Sequence, residues 1–139
     1  MKIKSILITI GVSVVITLFG CTKEDEPISN ADILIASQWR LTGAFSSMSG
    51  VPLDECSLDD VWKFSEPDGF LLLNNATCYD GEPAQYIGNW VLSNVETTLT
   101  LEIDSSPISK TDFVILELTS TQMKLRFADT QLDYYFEAE

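Results

Sequence analysis

The 139-residue chain carries 21 acidic residues against eight basic ones and no histidine, a net charge of −13. The missing histidine removes Ser-His and Cys-His nucleophiles, imidazole bases and most transition-metal sites. The acidity repels phosphate backbones and no basic patch offsets it, which argues against binding to nucleic acid or of the domain surface to anionic lipid head groups.

The chain opens with Lys2 and Lys4, runs uncharged for 16 residues from Ser5 to Gly20, and then meets Cys21. A spanning helix needs about 20 apolar residues, so this run has the length of a signal-peptide core rather than of a permanent span. The order basic, apolar, small residue, cysteine in Leu18-Phe19-Gly20-Cys21 resembles a bacterial lipoprotein signal peptide with its lipobox. That resemblance implies removal of residues 1–20, lipidation of Cys21 (a palmitate-bearing anchor) and a mature chain of charge −15. The following Thr22-Lys23-Glu24-Asp25-Glu26 is similar to the lysine-plus-acid export signal of Bacteroidota surface lipoproteins. It implies an outer-membrane protein displayed on the cell surface; the bland alternative is a solvated spacer. Residues 21–29 then form a lipidated tether and residues 30–139 one domain with one core.

Ser29–Ala36 predicts a short helix capped by Ser29 or Asn30. From there apolar residues alternate at period two, in eight strands at roughly 38–46, 59–66, 69–75, 86–93, 97–104, 111–119, 121–128 and 131–137. Trp39, Leu41 and Phe45 share a face in the first strand, with Gly43 between them. In the second and third strands, the turn Glu66-Pro67-Asp68-Gly69, with glycine at positive φ, pairs Glu66 with Phe70 and puts Trp62, Phe64, Phe70 and Leu72 on one face. The fourth and fifth strands alternate Gly88, Trp90, Leu92 and Leu99, Leu101, Ile103. At the C-terminal end, two-residue loops at Ser120-Thr121 and Asp129-Thr130 independently place Met123, Leu125 and Phe127 on one apolar face, with Lys124 and Arg126 on the other. The same arithmetic pairs Leu116 with Leu125, Val114 with Phe127 and Leu125 with Tyr134. Phe113 and Ile115 then fall on the opposite face: either a bulge turns them inward or they form an outer patch. One-sided alternation in eight strands calls for a closed all-β structure, an antiparallel up-and-down barrel.

Once Cys21 carries lipid, Cys56 and Cys78 remain, and an exported chain sits where disulfides form, so an intramolecular pair is expected. The Glu66–Phe70 register makes them diagonal neighbours, slightly too far apart, so the hairpin ends must bulge or fray for the bond to form. The segments Gln38-Trp39-Arg40-Leu41, Cys56-Ser57-Leu58-Asp59-Asp60, Trp62-Lys63-Phe64, Asp68-Gly69, Cys78, Gly88-Asn89-Trp90-Val91-Leu92 and Ile115-Leu116-Glu117-Leu118-Thr119 together resemble the lipocalin-like lipoproteins of Bacteroidota. The resemblance implies a calycin-type barrel open at one end, with Trp39 packed across its closed base and Cys56 and Cys78 paired.

An eight-stranded barrel is either filled by side chains or holds one small ligand. The leading expectation is a small apolar or amphipathic ligand, with Trp62, Phe64, Phe70, Leu72, Trp90, Leu101, Leu125 and Tyr134 as candidate lining residues; plain core packing is the alternative for each. A filled barrel acting as a protein-interaction or scaffolding module is the second reading. It would use the connections Ser46–Leu58 and Ala76–Gln85, whose acidic residues Asp54, Glu55, Asp59, Asp60, Asp80 and Glu82 lack the spacing of an EF-hand loop. No catalytic residue, metal or cofactor is assigned. Asp59 and Asp60, adjacent at a strand start, point to opposite faces and do not converge.

Overall fold

A computed structural model describes residues 27–46, 55–104 and 110–139. The leader at 1–20, the lipidation site Cys21, the charged residues up to Glu26 and the loop acid Asp54 lie outside the described residues. Among the described residues no helix is long and apolar enough to cross a membrane.

The chain forms α1 (Asn30–Ala36) and then eight strands: β1 (Gln38–Ser46), β2 (Val61–Ser65), β3 (Gly69–Leu73), β4 (Gln85–Leu92), β5 (Thr98–Ile103), β6 (Lys110–Leu118), β7 (Gln122–Phe127) and β8 (Leu132–Ala138). They close into an antiparallel up-and-down barrel in sequence order, β8 returning to β1. Each strand finds both neighbours within residues 38–138, and the described core draws on nothing before Ala31. Among the described residues, the barrel is thus closed and its core filled by residues 31–138 alone.

The helix starts at Ser29, whose hydroxyl accepts from the Asp32 amide while the Asp32 carboxylate accepts from the Ser29 amide, a capping box. Asn30 is not the cap. Its backbone amide donates to the Glu96 carboxylate (2.8 Å) and its side-chain amide to the Glu96 carbonyl (2.9 Å). That clamp holds α1 over the end of the barrel where the β4–β5 connection lies. Leu34 and Trp39 are wholly buried there, and the Trp39 indole donates to the Leu34 carbonyl at 3.0 Å. Trp39 thus closes the base, satisfying its one polar atom as it does so.

Two bulges correct the sequence-derived faces. In β1 the register to β8 slips between Leu41 and Gly43, so Ala44 turns inward opposite Tyr134. Phe45, expected beside Trp39 and Leu41, points outward, 46% exposed and edge-on to Tyr135. In β6 the register to β7 slips between Ile115 and Glu117. Leu118 still opposes Met123 as expected, but Ile115 rather than Leu116 opposes Leu125, and Phe113 rather than Val114 opposes Phe127. Phe113 is therefore buried, while Val114 and Leu116 are exposed. One extra residue inverts every position before it. The β7–β8 hairpin has the expected pairs: Phe127 with Leu132, Leu125 with Tyr134, Met123 with Phe136.

The β2–β3 hairpin keeps its expected face but not its register. Phe64, not Glu66, opposes Phe70, and Ser65 pairs with Gly69 across Glu66-Pro67-Asp68, whose Glu66–Pro67 bond is cis. Gly69 does not take positive φ; a Cβ there would come within 2.5 Å of the Ser65 hydroxyl. A two-residue shift preserves sidedness, so Trp62, Phe64, Phe70 and Leu72 all face inward. The β2–β3 pairing ends at Val61 opposite Leu73, and beyond it both chains leave the ladder, the fraying expected of the hairpin ends. Cys56 and Cys78 form a disulfide with Cα atoms 5.4 Å apart, tying the 3-10 turn Glu55–Ser57 to the β3–β4 loop. Closing that loop contributes about 3 kcal/mol.

Candidate functional site

The two ends of the barrel differ in how they are closed. The base end carries α1 and the turns after β2, β4 and β6. The other end carries the disulfide, the long β3–β4 loop and the β7–β8 turn, and forms the mouth. Between them the interior is occupied by aromatic rings. Trp62 on β2 meets Phe70 on β3 (5.5 Å between ring centroids), Phe136 on β8 (4.7 Å) and Phe113 on β6 (5.6 Å). Because β6 lies across the ring of eight strands from β2, the Trp62–Phe113 contact bridges the lumen. Below it, Phe64 packs edge-on to Trp90, whose indole donates to the Ser65 carbonyl at 3.0 Å.

All eight lining candidates face the interior and belong to one apolar cluster. Trp62, Phe64, Phe70, Trp90, Leu101 and Leu125 are buried in it, whereas Leu72 and Tyr134 are only partly buried. Ile103 and Phe127 share that intermediate position toward the mouth. Phe113 joins the group, 5.6 Å from the Phe127 ring and 5.9 Å from Tyr134. Trp62 and Phe113 therefore form the floor of the mouth, and Leu72, Ile103, Phe127 and Tyr134 its apolar wall. Burial also pushes the Tyr134 phenol above its ordinary pKa.

The rim beside Leu72, where β2, β3 and β4 reach the mouth, is acidic. Tyr86, in register with Leu72, has its hydroxyl 3.3 Å from that of Tyr79. The Tyr79 hydroxyl contact, with some burial and the charges of Glu82 and Asp60, pushes the Tyr86 phenol up to about 12. Glu82 accepts a hydrogen bond from the Cys78 amide. Asp59 and Asp60 precede β2 rather than begin it, so the alternation that would send them to opposite faces does not apply. Each has one buried carboxylate oxygen without a hydrogen-bond partner among the described residues. Burial first, then the charges of Asp59 and Glu82, push Asp60 up to about 7, against a lowering hydrogen bond from the Asn75 backbone. Among the described residues no group of three or more acidic or sulfur ligands is arranged to hold a metal.

A family model described as a lipocalin-like domain matches residues 35–125. The chain belongs to the lipocalin-like family. Three solved structures share the lipocalin-like barrel at low identity. A lipocalin-like protein from Bacteroides uniformis is 15% identical with a TM-score of 0.56, covering 74% of this chain and 96% of that one. An uncharacterized protein from Bacteroides eggerthii is also 15% identical at 0.56, covering 74% and 98%. A duf4847 family protein from Bacteroides vulgatus is 9% identical at 0.57, covering 78% and 96%. No curated protein matches the chain.

Proposed function

We propose that this lipocalin-like protein is a lipid-anchored lipoprotein of the outer membrane whose barrel mouth takes one small apolar or amphipathic molecule. The observation that carries the binding reading is the amphipathic mouth: Leu72, Ile103, Phe127 and Tyr134 left partly exposed over a Trp62–Phe113 floor, with Asp59, Asp60 and Glu82 on the rim beside Leu72. Partly exposed apolar walls with a few convergent polar groups are what small-molecule sites offer. The acidic rim favours a neutral or cationic head group over a carboxylate. Display on the cell surface rests on the Cys21 lipobox and the charged residues behind it. The filled lumen favours a second reading, a barrel that works through its outer surfaces as an interaction module. Native mass spectrometry of the chain from Thr22 onward, purified gently from its own host, separates the two. A near-stoichiometric small molecule, together with N-phenyl-1-naphthylamine binding that Tyr134→Ala weakens, supports the mouth. A clean apo mass with no response to that neutral probe supports the interaction module.

A further inference from the structure

Away from the mouth, a groove of about 630 Å³ lies on the outer wall, beside the C-terminal end of α1. The strand registers explain its chemistry. Gln38 opposes Lys63, Lys63 opposes Leu71, and Leu71 opposes Ile87, so one outward row crosses β1 to β4. The row is polar at its β1 end and apolar at its β4 end, with Ile35 of α1 along its flank. Ile87 is 54% exposed, a large apolar side chain with water over it.

The charges on the barrel single out Lys63. Among the described residues Arg40 pairs with Glu139 (3.2 Å), Lys110 with Glu102 (3.8 Å), and both Lys124 and Arg126 with Asp133. Lys63 makes no ion pair among the described residues. It is partly buried, and it lines the groove. In a chain with 21 carboxylates, an ammonium left unpaired at the polar end of an apolar strip complements an anion that carries an apolar tail. Glu139 also lines the groove, and its side-chain carboxylate is paired with Arg40.

We infer that this outer groove is a second binding site, for an amphiphilic carboxylate such as a free fatty acid, with the carboxylate on Lys63 and the alkyl chain along Leu71 and Ile87. The volume lies within the ~300–1,000 Å³ of small-molecule sites, and neighbouring strands about 4.8 Å apart set Lys63 some 10 Å from Ile87, a distance a medium alkyl chain spans. The acidic mouth repels such a ligand, so the two sites sort amphiphiles by the sign of the head group.

The test is amide and indole NMR of the chain from Thr22 onward, titrated with sodium decanoate below its micelle threshold. Saturable shifts at Leu71 and Ile87, with the indoles of Trp62 and Trp90 unmoved, are expected. Lys63→Glu and Ile87→Asp, both outside the core, should each weaken decanoate about tenfold with an unchanged circular dichroism spectrum. 1-Decanol, the same tail without the charge, should bind more weakly than decanoate. No saturable shift at Leu71 and Ile87, shifts confined to the indoles, or an affinity indifferent to Lys63→Glu would each overturn the assignment. The indole outcome would leave the mouth reading standing while removing this one.

Discussion

Two carboxylates of this barrel are tuned in opposite directions, and pH separates them. Asp60 sits between Asp59 and Glu82 with its own burial to bear, and its folded-state pKa of about 7 lies well above an unfolded value of about 3.9. The folded state binds that proton more tightly, so Asp60 destabilises the fold progressively as pH rises from about 4 to about 7 and costs no more above that. Asp60→Asn removes the term. In urea unfolding from pH 4.5 to 8, the variant should gain on the parent as pH rises and then hold a constant lead. Asp133, 6% exposed on the outer wall, takes a bidentate hydrogen bond from Arg126 at 2.6 and 2.9 Å. That bond and the Arg126 and Lys124 charges hold it below the ordinary carboxylate range. Its contribution is present above the unfolded value and is lost as pH falls through the folded one. Asp133→Asn should therefore be the less stable protein near neutrality, with the gap narrowing below about pH 4.

At the scale of elements, patterns of period two were legible and interruptions of that period were not. The barrel class, its eight strands and the inward set of β2, β3, β4, β5 and β7 follow from alternation, because a shift by two residues, such as the one at Glu66–Phe70, leaves sidedness intact. A bulge adds one residue and flips it. Phe113-Val114-Ile115-Leu116 is apolar at every position, so nothing in it marks which alternate pair is inside. The choice is made by pairing with β7, where Phe127 and Leu125 select Phe113 and Ile115. The β1 bulge turns Phe45 outward for the same reason, and alternation alone does not mark Phe113, half of the mouth's floor, as a lining residue. The cap of α1 lay within a two-residue choice, but the Asn30–Glu96 clamp connects positions 66 apart and leaves no local signal. The β6 bulge carries a sharp mutational contrast. Phe113→Ala should cost ~3–5 kcal/mol, as for a buried aromatic, whereas Val114→Ala, exposed one residue later, should stay within about 0.5–1 kcal/mol. Equal losses in chemical denaturation would mean that the strand is not bulged.

For the molecule as a whole, the open question of an eight-stranded barrel is how much of its lumen side chains occupy. Here a single indole, Trp62, links β2 to β3, β6 and β8, while Trp39 and Leu34 seal the base. On the proposed reading, a ligand entering at the mouth would rest on Trp62 rather than pass it, so binding would be shallow above a packed core. Trp62→Ala tests this directly. Deleting the ring should cost ~3–5 kcal/mol and leave a void walled mainly by the aromatic rings of Phe70, Phe113, Tyr134 and Phe136. Such a void takes up small apolar molecules. Saturating benzene should raise the melting temperature of the variant by a few degrees and leave that of the parent nearly unchanged. Since a molecule that binds only the folded state stabilises it in proportion to occupancy, an equal rise in the parent would mean that the lumen is already hollow beneath Trp62, and the shallow-mouth account would fail with it.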